Sequence, residues 1–241
     1  MLYILFSPSE GKNQGGTDIP LKLFAGVEPR KEILDRYQEI VASKEEEMIK
    51  GLFGFKKIEE CQNYISDIYT SSTLKAIMRY SGVAYDYLQY ETLDQQAQEF
   101  IDKHTLIFSN LFGPIFADNM IPIYKVKQGN SIGDIKPEEF YKQIFCDKLD
   151  KVFEDAEILD LRAGYYNKFY KPKYTTTIKF LKNAKVVSHW VKAYRGIVLR
   201  EIAKNNLTTI EEITKMEIEN LMVKEIKKTK TKTELVYEII K

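Results

Sequence analysis

Leu2-Tyr3-Ile4-Leu5-Phe6-Ser7-Pro8-Ser9-Glu10-Gly11-Lys12 joins an apolar run to a loop of proline, glycine, small hydroxyls, one acid and one lysine. A short apolar run bounded by Pro and Gly reads as a buried strand. A loop of that composition, held at the end of such a strand, is a common way to build a site. The strand follows Met1 directly, without a basic n-region or a longer apolar stretch, so no cleaved leader is expected. A nucleotide P-loop is excluded by spacing. It needs G-x-x-x-x-G-K-[ST], whose amides wrap phosphates while the hydroxyl holds a metal. Here Asn13 follows Gly11-Lys12, Phe6 stands in place of the first glycine, and Thr17-Asp18-Ile19-Pro20 reads as loop where a helix is required.

The chain has 241 residues and no Pro/Gly/Ser-rich linker, which favours one large domain over residues 1–241. Apolar runs are too short to span a membrane, and no membrane association is expected. Lysine and arginine total 36 against 35 acidic residues. A polyanion site would therefore have to come from local segregation of charge. Cys61 and Cys146 have no spacing motif and read as reduced thiols of a cytoplasmic protein. The two histidines, His104 and His189, are too few for a zinc site, and no G-x-S-x-G elbow supports a serine triad. No metal and no cofactor are expected, and no catalytic motif is recognisable.

Along the chain, helical spacing runs from Arg30 to Val41. Ser43-Lys44-Glu45-Glu46 reads as a capping box for a second helix ending near Gly51. Gly51-Leu52-Phe53-Gly54-Phe55 breaks it, and Lys56-Lys57-Ile58 starts another helix to about Ile68. That order has two readings: a helix-hairpin-helix, whose amides and lysines grip a phosphate without reading bases, or an ordinary helix connection. Thr73–Tyr80 reads as helical, and Thr92-Leu93-Asp94-Gln95 caps a helix to about Lys103. Strands are expected at Thr105–Ser109, Tyr124–Lys127 and Ile158–Leu161. Pro137 opens another helix. Tyr174–Leu181 and Lys185–Val191 read as strands around a turn at Asn183-Ala184. The lysines between Lys224 and Lys232 read as a solvated hairpin before an apolar final segment.

The helix from Val191 to about Lys204 carries charge against the grain. Lys192, Arg195 and Arg200 have no acid three or four residues away, so none is neutralised along its own helix. Lys192, Gly196 and Arg200 share one side, and Trp190, Val191, Ile197 and Val198 are expected to dock the helix. Bases on a packed helix need an anion, from a carboxylate elsewhere in the chain or from ligand phosphates. Both readings stand. The internal carboxylates on offer are Glu10, Asp86, Asp118 and Asp160, and a pairing of Glu10 with Lys192 or Arg195 would make the opening loop and this helix one cleft. Gly196 costs about 1 kcal/mol relative to alanine in a helix interior, which implies close approach of a backbone or a ligand.

Several segments together resemble the YaaA family of bacterial peroxide-stress-resistance proteins. They are Leu5–Lys12, Ser81-Gly82-Val83-Ala84-Tyr85-Asp86, Ser109-Asn110-Leu111-Phe112-Gly113-Pro114, Ile121-Pro122-Ile123-Tyr124-Lys125-Val126, Gln128-Gly129, Leu159–Tyr166 and Lys192-Ala193-Tyr194-Arg195-Gly196. They follow the family's order over nearly the whole chain. The resemblance implies a single-domain mixed α/β (α+β) fold, a mixed sheet surrounded by helices, with a helix-hairpin-helix element on the Gly51–Ile58 region. It also implies a basic cleft and DNA binding that limits oxidative damage. Carried over by position, the anion-contacting residues are Ser7, Lys12, Tyr85, Tyr124, Lys125, Lys192, Arg195 and Arg200, and Arg162 at the end of its strand is counted with them. Lys56 and Lys57 join them from the hairpin, and Glu10 and Asp160 serve as structural acid partners. The sequence departs from the family where Gly113 is followed by Pro114-Ile115-Phe116-Ala117-Asp118, without the usual arginine. It departs again where Lys125 replaces an arginine, since lysine cannot make the same planar two-pronged contact. The resulting expectation is a monomeric cytoplasmic peroxide-stress protein that binds DNA phosphates with little sequence preference. The alternatives are an enzyme on a nucleotide or nucleic acid, with Glu10 or Asp160 as acid or base, and a scaffold whose charges are satisfied internally.

Overall fold

The opening apolar run forms β1 (Leu2–Phe6) at the centre of a mixed sheet, in a computed structural model that describes residues 1–183, 185–187 and 190–240. The chain continues through β2 (Gly11–Lys12), α1 (Lys31–Ala42), α2 (Glu46–Phe53), β3 (Thr73–Lys75), α3 (Ala76–Arg79), β4 (Tyr80–Ser81) and α4 (Val83–Leu88). Next come α5 (Gln95–His104), β5 (Thr105–Ser109), β6 (Gly113–Phe116), β7 (Met120–Pro122), α6 (Pro137–Val152) and β8 (Glu157–Asp160). The remainder is β9 (Thr175–Lys182), β10 (Lys185–Val186), α7 (Val191–Lys204), α8 (Ile210–Lys215), β11 (Leu221–Lys228) and β12 (Lys232–Ile239).

The main sheet has eight strands in the order β11-β12-β9-β8-β1-β5-β6, with β10 added to β9. β1 pairs in parallel with both β5 and β8, in the registers Phe6↔Ile107 and Leu5↔Asp160. β9 and β12 continue the parallel set, whereas β6 and β11 are antiparallel edges. All five residues of β5 are buried, as expected for a strand covered on both faces. Successive residues alternate across the sheet. Phe6 meets Tyr85 of α4 edge-on at 5.5 Å on one side, and Tyr3 meets Phe153 beyond α6 at 5.2 Å on the other. Among the described residues no helix is long and apolar enough to cross a membrane.

Several expected elements differ, each for a local reason. Ser43 closes α1, donating to the Ile40 carbonyl (2.8 Å), and α2 begins after Glu45. Asp94, not Thr92, caps α5 by accepting from the Ala97 N–H at 2.9 Å. The helix expected over Thr73–Tyr80 is split, because Thr73–Lys75 pairs with β7 before α3 begins. No strand forms over residues 124–127; the ladder ends at Pro122, and the Lys125 N–H donates instead to the Tyr37 hydroxyl (3.2 Å). The helix expected from Lys56 is a 3₁₀ helix, Ile58–Tyr64. The strand expected to Val191 is confined to β10, and Ala184 of the expected turn, Ser188 and His189 lie outside the described residues. Trp190 is exposed; α7 docks through Val198, Leu199 and Ile202, with Tyr194 stacked on Phe180 at 5.1 Å.

Gly196 explains itself in α7. A Cβ built there would lie 2.0 Å from the Ala84 carbonyl oxygen and 3.0 Å from the Leu88 nitrogen, so α4 and α7 touch backbone to backbone. Arg200, one turn on, donates to the Leu88 (2.8 Å) and Gln89 (2.9 Å) carbonyls at the end of α4, the second of which it shares with Thr92. Gly196→Ala should therefore lower stability by about 1–3 kcal/mol through overpacking, despite the better helix propensity of alanine. The midpoint of urea unfolding measures this, and a raised midpoint would contradict the close approach.

Candidate functional site

Where β1 ends, the chain order of the sheet reverses: β5 lies on one side of β1 and β8 on the other. In open parallel sheets such a point leaves a crevice beyond the carboxyl ends of the strands. A cavity of about 440 Å³ opens there, with Phe6, Ser7, Tyr85, Tyr166, Lys192 and Arg195 in its wall. The Ser7 hydroxyl accepts from the Ala163 N–H (2.8 Å), and the Tyr85 hydroxyl donates to the Ser7 carbonyl (2.8 Å). One residue thus ties the end of β1 to the loop after β8 and to α4. Burial raises the Tyr85 phenol well above its ordinary value, so it stays a neutral donor.

Glu10 does not reach α7. Its carboxylate pairs with Lys125 Nζ at 3.1 Å and accepts from the Gln128 N–H at 3.3 Å. Lys125 is almost fully buried, and its ammonium lies 5.2 Å from the centre of the Phe55 ring. Burial pushes the Glu10 carboxyl up, but the hydrogen bond and charge of Lys125, the Gln128 N–H and Lys12 outweigh it and hold it below the ordinary glutamate value. Lys12 is directed inward. Its Nζ donates to the Ser9 carbonyl (2.7 Å) and the Glu10 carbonyl (3.2 Å), between the rings of Tyr124 (4.5 Å) and Tyr80 (5.1 Å). Burial, then Lys125 and Arg79, push this ammonium well below the ordinary lysine value, with Glu10 opposing. Tyr124 is interior as well, bonded through its hydroxyl to Tyr80 (2.8 Å) and Ser109 (2.7 Å).

Asp160 is likewise spoken for. Arg162 grips it with two prongs, Nε to Oδ1 at 2.9 Å and an Nη to Oδ2 at 2.8 Å, and both side chains are buried. The guanidinium sits 4.3 Å from the centre of the Phe108 ring and also donates to the Tyr166 (3.2 Å) and Tyr170 (3.1 Å) carbonyls, shaping the loop that faces Ser7. Arg162 and Arg200 are thus committed to the protein rather than to the cleft. Lys56 and Lys57 are exposed, as is Gly54 beside them, which is in a left-handed conformation at φ 76° with the Lys127 side chain where a Cβ would stand.

Two of the expected cations remain. Lys192 is exposed and Arg195 half-buried at the cavity, and among the described residues neither has a hydrogen bond or ion pair. Burial lowers the Arg195 guanidinium's pKa, and the nearby Asp160 charge opposes this. An arginine drawn out of water without a bonded partner is a site for an anion. Gln128 and Tyr166 in the wall lie in segments that carry the resemblance but are not assigned to the site from sequence, since nothing in their residue types marks them. Sequence reading also missed the buried Arg30 and Arg79, which donate only to backbone carbonyls. Arg30 serves Phe112 and Pro114, and Arg79 serves Asn13 and Gly15. Burial drives both to about 10. His104, by contrast, is bound to the Leu2 carbonyl (2.7 Å) and stacked on Phe100. No group of three or more His, Cys, Asp or Glu residues suited to a metal occurs among the described residues.

The Glu10–Lys125 pair gives a pH prediction. Because the folded-state value of Glu10 lies below its unfolded value, the pair stabilises the fold above the ordinary value of 4.5. That contribution is lost as pH falls through the lower folded value. Glu10→Gln should lower the thermal midpoint at neutral pH and make its fall below pH 4.5 shallower. An acid limb identical to that of the unaltered protein would contradict the pairing.

Residues 1–227 match the family described as Peroxide stress protein YaaA. An uncharacterized protein of Campylobacter jejuni is 44% identical over 243 residues, covering 98% of this chain and 99% of its own. UPF0246 proteins of Streptomyces coelicolor (29% identical, 83% of this chain and 82% of theirs) and Corynebacterium glutamicum (30%, 84% and 85%) also match. The family match spans both walls of the cavity, from the Ser7–Lys12 loop to α7, and the chain belongs to the YaaA peroxide stress protein family.

Proposed function

We propose that this protein serves peroxide defence in the cytoplasm by binding DNA through its phosphates, with little sequence preference, at the cleft between the Ser7–Lys12 loop and α7. The observation that carries this reading is the pair of cations, Lys192 and Arg195, without side-chain partners among the described residues, at a cavity lined by small hydroxyls. Arg195 supplies a planar fork that suits phosphate oxygens, and Lys192 adds a mobile point charge at the mouth. Ser7 and Ser9 offer hydroxyls on the same wall. Lys56 and Lys57 contribute diffuse attraction from the surface. Lys12, turned inward, and Lys125, paired with Glu10, shape the loop rather than contact the ligand.

A second reading, an enzyme acting on a nucleotide or nucleic acid, is favoured by one feature: the Glu10 carboxylate stands in the wall of a cavity large enough for a nucleotide. Its lowered pKa suits a base or a structural partner rather than a general acid. Asp160 is a poor candidate, because both of its oxygens accept from Arg162.

One titration tests both. Labelled duplex is added to the unaltered protein, Lys192→Ala and Arg195→Ala at several salt concentrations. The single tryptophan, Trp190 at the start of α7, reports occupancy by fluorescence. Each phosphate that a variant no longer neutralises should lower the slope of log affinity against log salt by about 0.9. Undiminished binding by both variants would overturn the cleft assignment, and duplex cleavage that requires Glu10 would establish the enzyme.

A further inference from the structure

Arg195 lines a second cavity, of about 310 Å³, which continues past the carboxyl end of β8 over the first half of β9. Its cations are Arg195, Arg162, Lys171, Lys179 and Lys232. Its two carboxylates are both engaged: Asp160 with Arg162, and Glu234 with Lys232 at 2.9 Å. The side chains of Lys171 and Lys179 make no hydrogen bond or ion pair among the described residues, though the Lys179 charge also acts on Glu234, and five cations against two carboxylates leave the cavity with surplus positive charge.

Thr175, Thr177 and Lys179 alternate along β9 and so share one face of the strand. All three line this cavity. The Thr177 hydroxyl oxygen is shielded from solvent and has no hydrogen-bond partner among the described residues, a condition that carries a desolvation penalty unless a ligand meets it. The lining contains no aromatic ring, so it offers bases nothing to stack on and offers phosphates cations and a hydroxyl.

We propose that this groove is a second phosphate subsite, with Lys171, Lys179 and Thr177 as its contacts and Arg195 shared with the first. The ligand is then a nucleic-acid strand of linked nucleotides, whose backbone runs from the α7 cleft across β9, and not a free mononucleotide. A positive groove that tracks a backbone is the usual electrostatic half of strand binding. This inference rests on the reading of the first cavity as a phosphate site.

The test uses two probes, thymidine monophosphate and a short oligothymidylate, with Trp190 fluorescence and filter retention as readouts. The variants are Lys171→Ala/Lys179→Ala and Thr177→Val, compared with Lys192→Ala/Arg195→Ala. Lys179→Gln replaces Lys179→Ala if the latter does not fold. The β9 variants should weaken the oligonucleotide, with the lysine pair reducing its salt slope by about 0.7 for each phosphate left without its cation, and leave the monophosphate unaffected. If they bind the oligonucleotide with unchanged affinity and slope while the α7 variant weakens both probes, the second subsite is overturned and the first stands. If neither set weakens either probe, the phosphate reading of the first cavity falls, and the second falls with it.

Discussion

The parallel pairing of β1 with strands on both sides is the constraint on which the rest depends. Because Leu2–Phe6 is hydrogen-bonded to β5 and β8 and buried on both faces, the chain leaving Phe6 can only turn out over the carboxyl edge of the sheet. Ser7 then fixes that turn twice, through its hydroxyl to Ala163 and its carbonyl to Tyr85. The loop after β8 and the start of α4 are thereby placed opposite each other, and α7 is brought up to α4 by the absence of a side chain at Gly196. The cavity is the space these three contacts leave.

Charge in this region is sorted by depth. The deep bases are held by the protein: Lys12 by carbonyls and aromatic rings, Lys125 by Glu10, Arg162 by Asp160, Arg200 by the end of α4. Breaking the Arg162–Asp160 pair, buried on both sides, would cost about 3–5 kcal/mol because a charge is left without its partner, and the other three are likewise fixed by contacts inside the protein, so these residues act as scaffold. Lys192 and Arg195 stand at the rim, without partners among the described residues. The nearly neutral chain therefore presents positive charge to a ligand where its internal acids are already used.

Much of this was legible in the sequence. The strand and loop at the start, α7 with three bases that have no acid along their own helix, and the close approach at Gly196 all follow from residue type and spacing. What was not legible is pairing across the fold. Glu10 and Lys125 are far apart in sequence, and nothing in either segment distinguishes Lys125 from Lys192 as a partner. The helix expected at Thr73–Tyr80 gave way because β7 offered Thr73–Lys75 a ladder, a tertiary contact that local propensity does not register. The groove over β9 was invisible for the same reason: Lys171 and Lys179 acquire meaning only when Arg195 lies beside them.

The account stands or falls on which arginine meets the ligand. Nuclear magnetic resonance of the arginine Nε–Hε groups during a titration with duplex DNA reads this directly. The Arg195 signal should shift and become protected from exchange, while those of Arg30, Arg79 and Arg162 stay where they are, since their Nε–H groups are already bonded inside the protein, and that of Arg200 stays because its guanidinium is held by the Leu88 and Gln89 carbonyls. An unmoved Arg195 signal at saturation, with shifts in any of the other four, would contradict it.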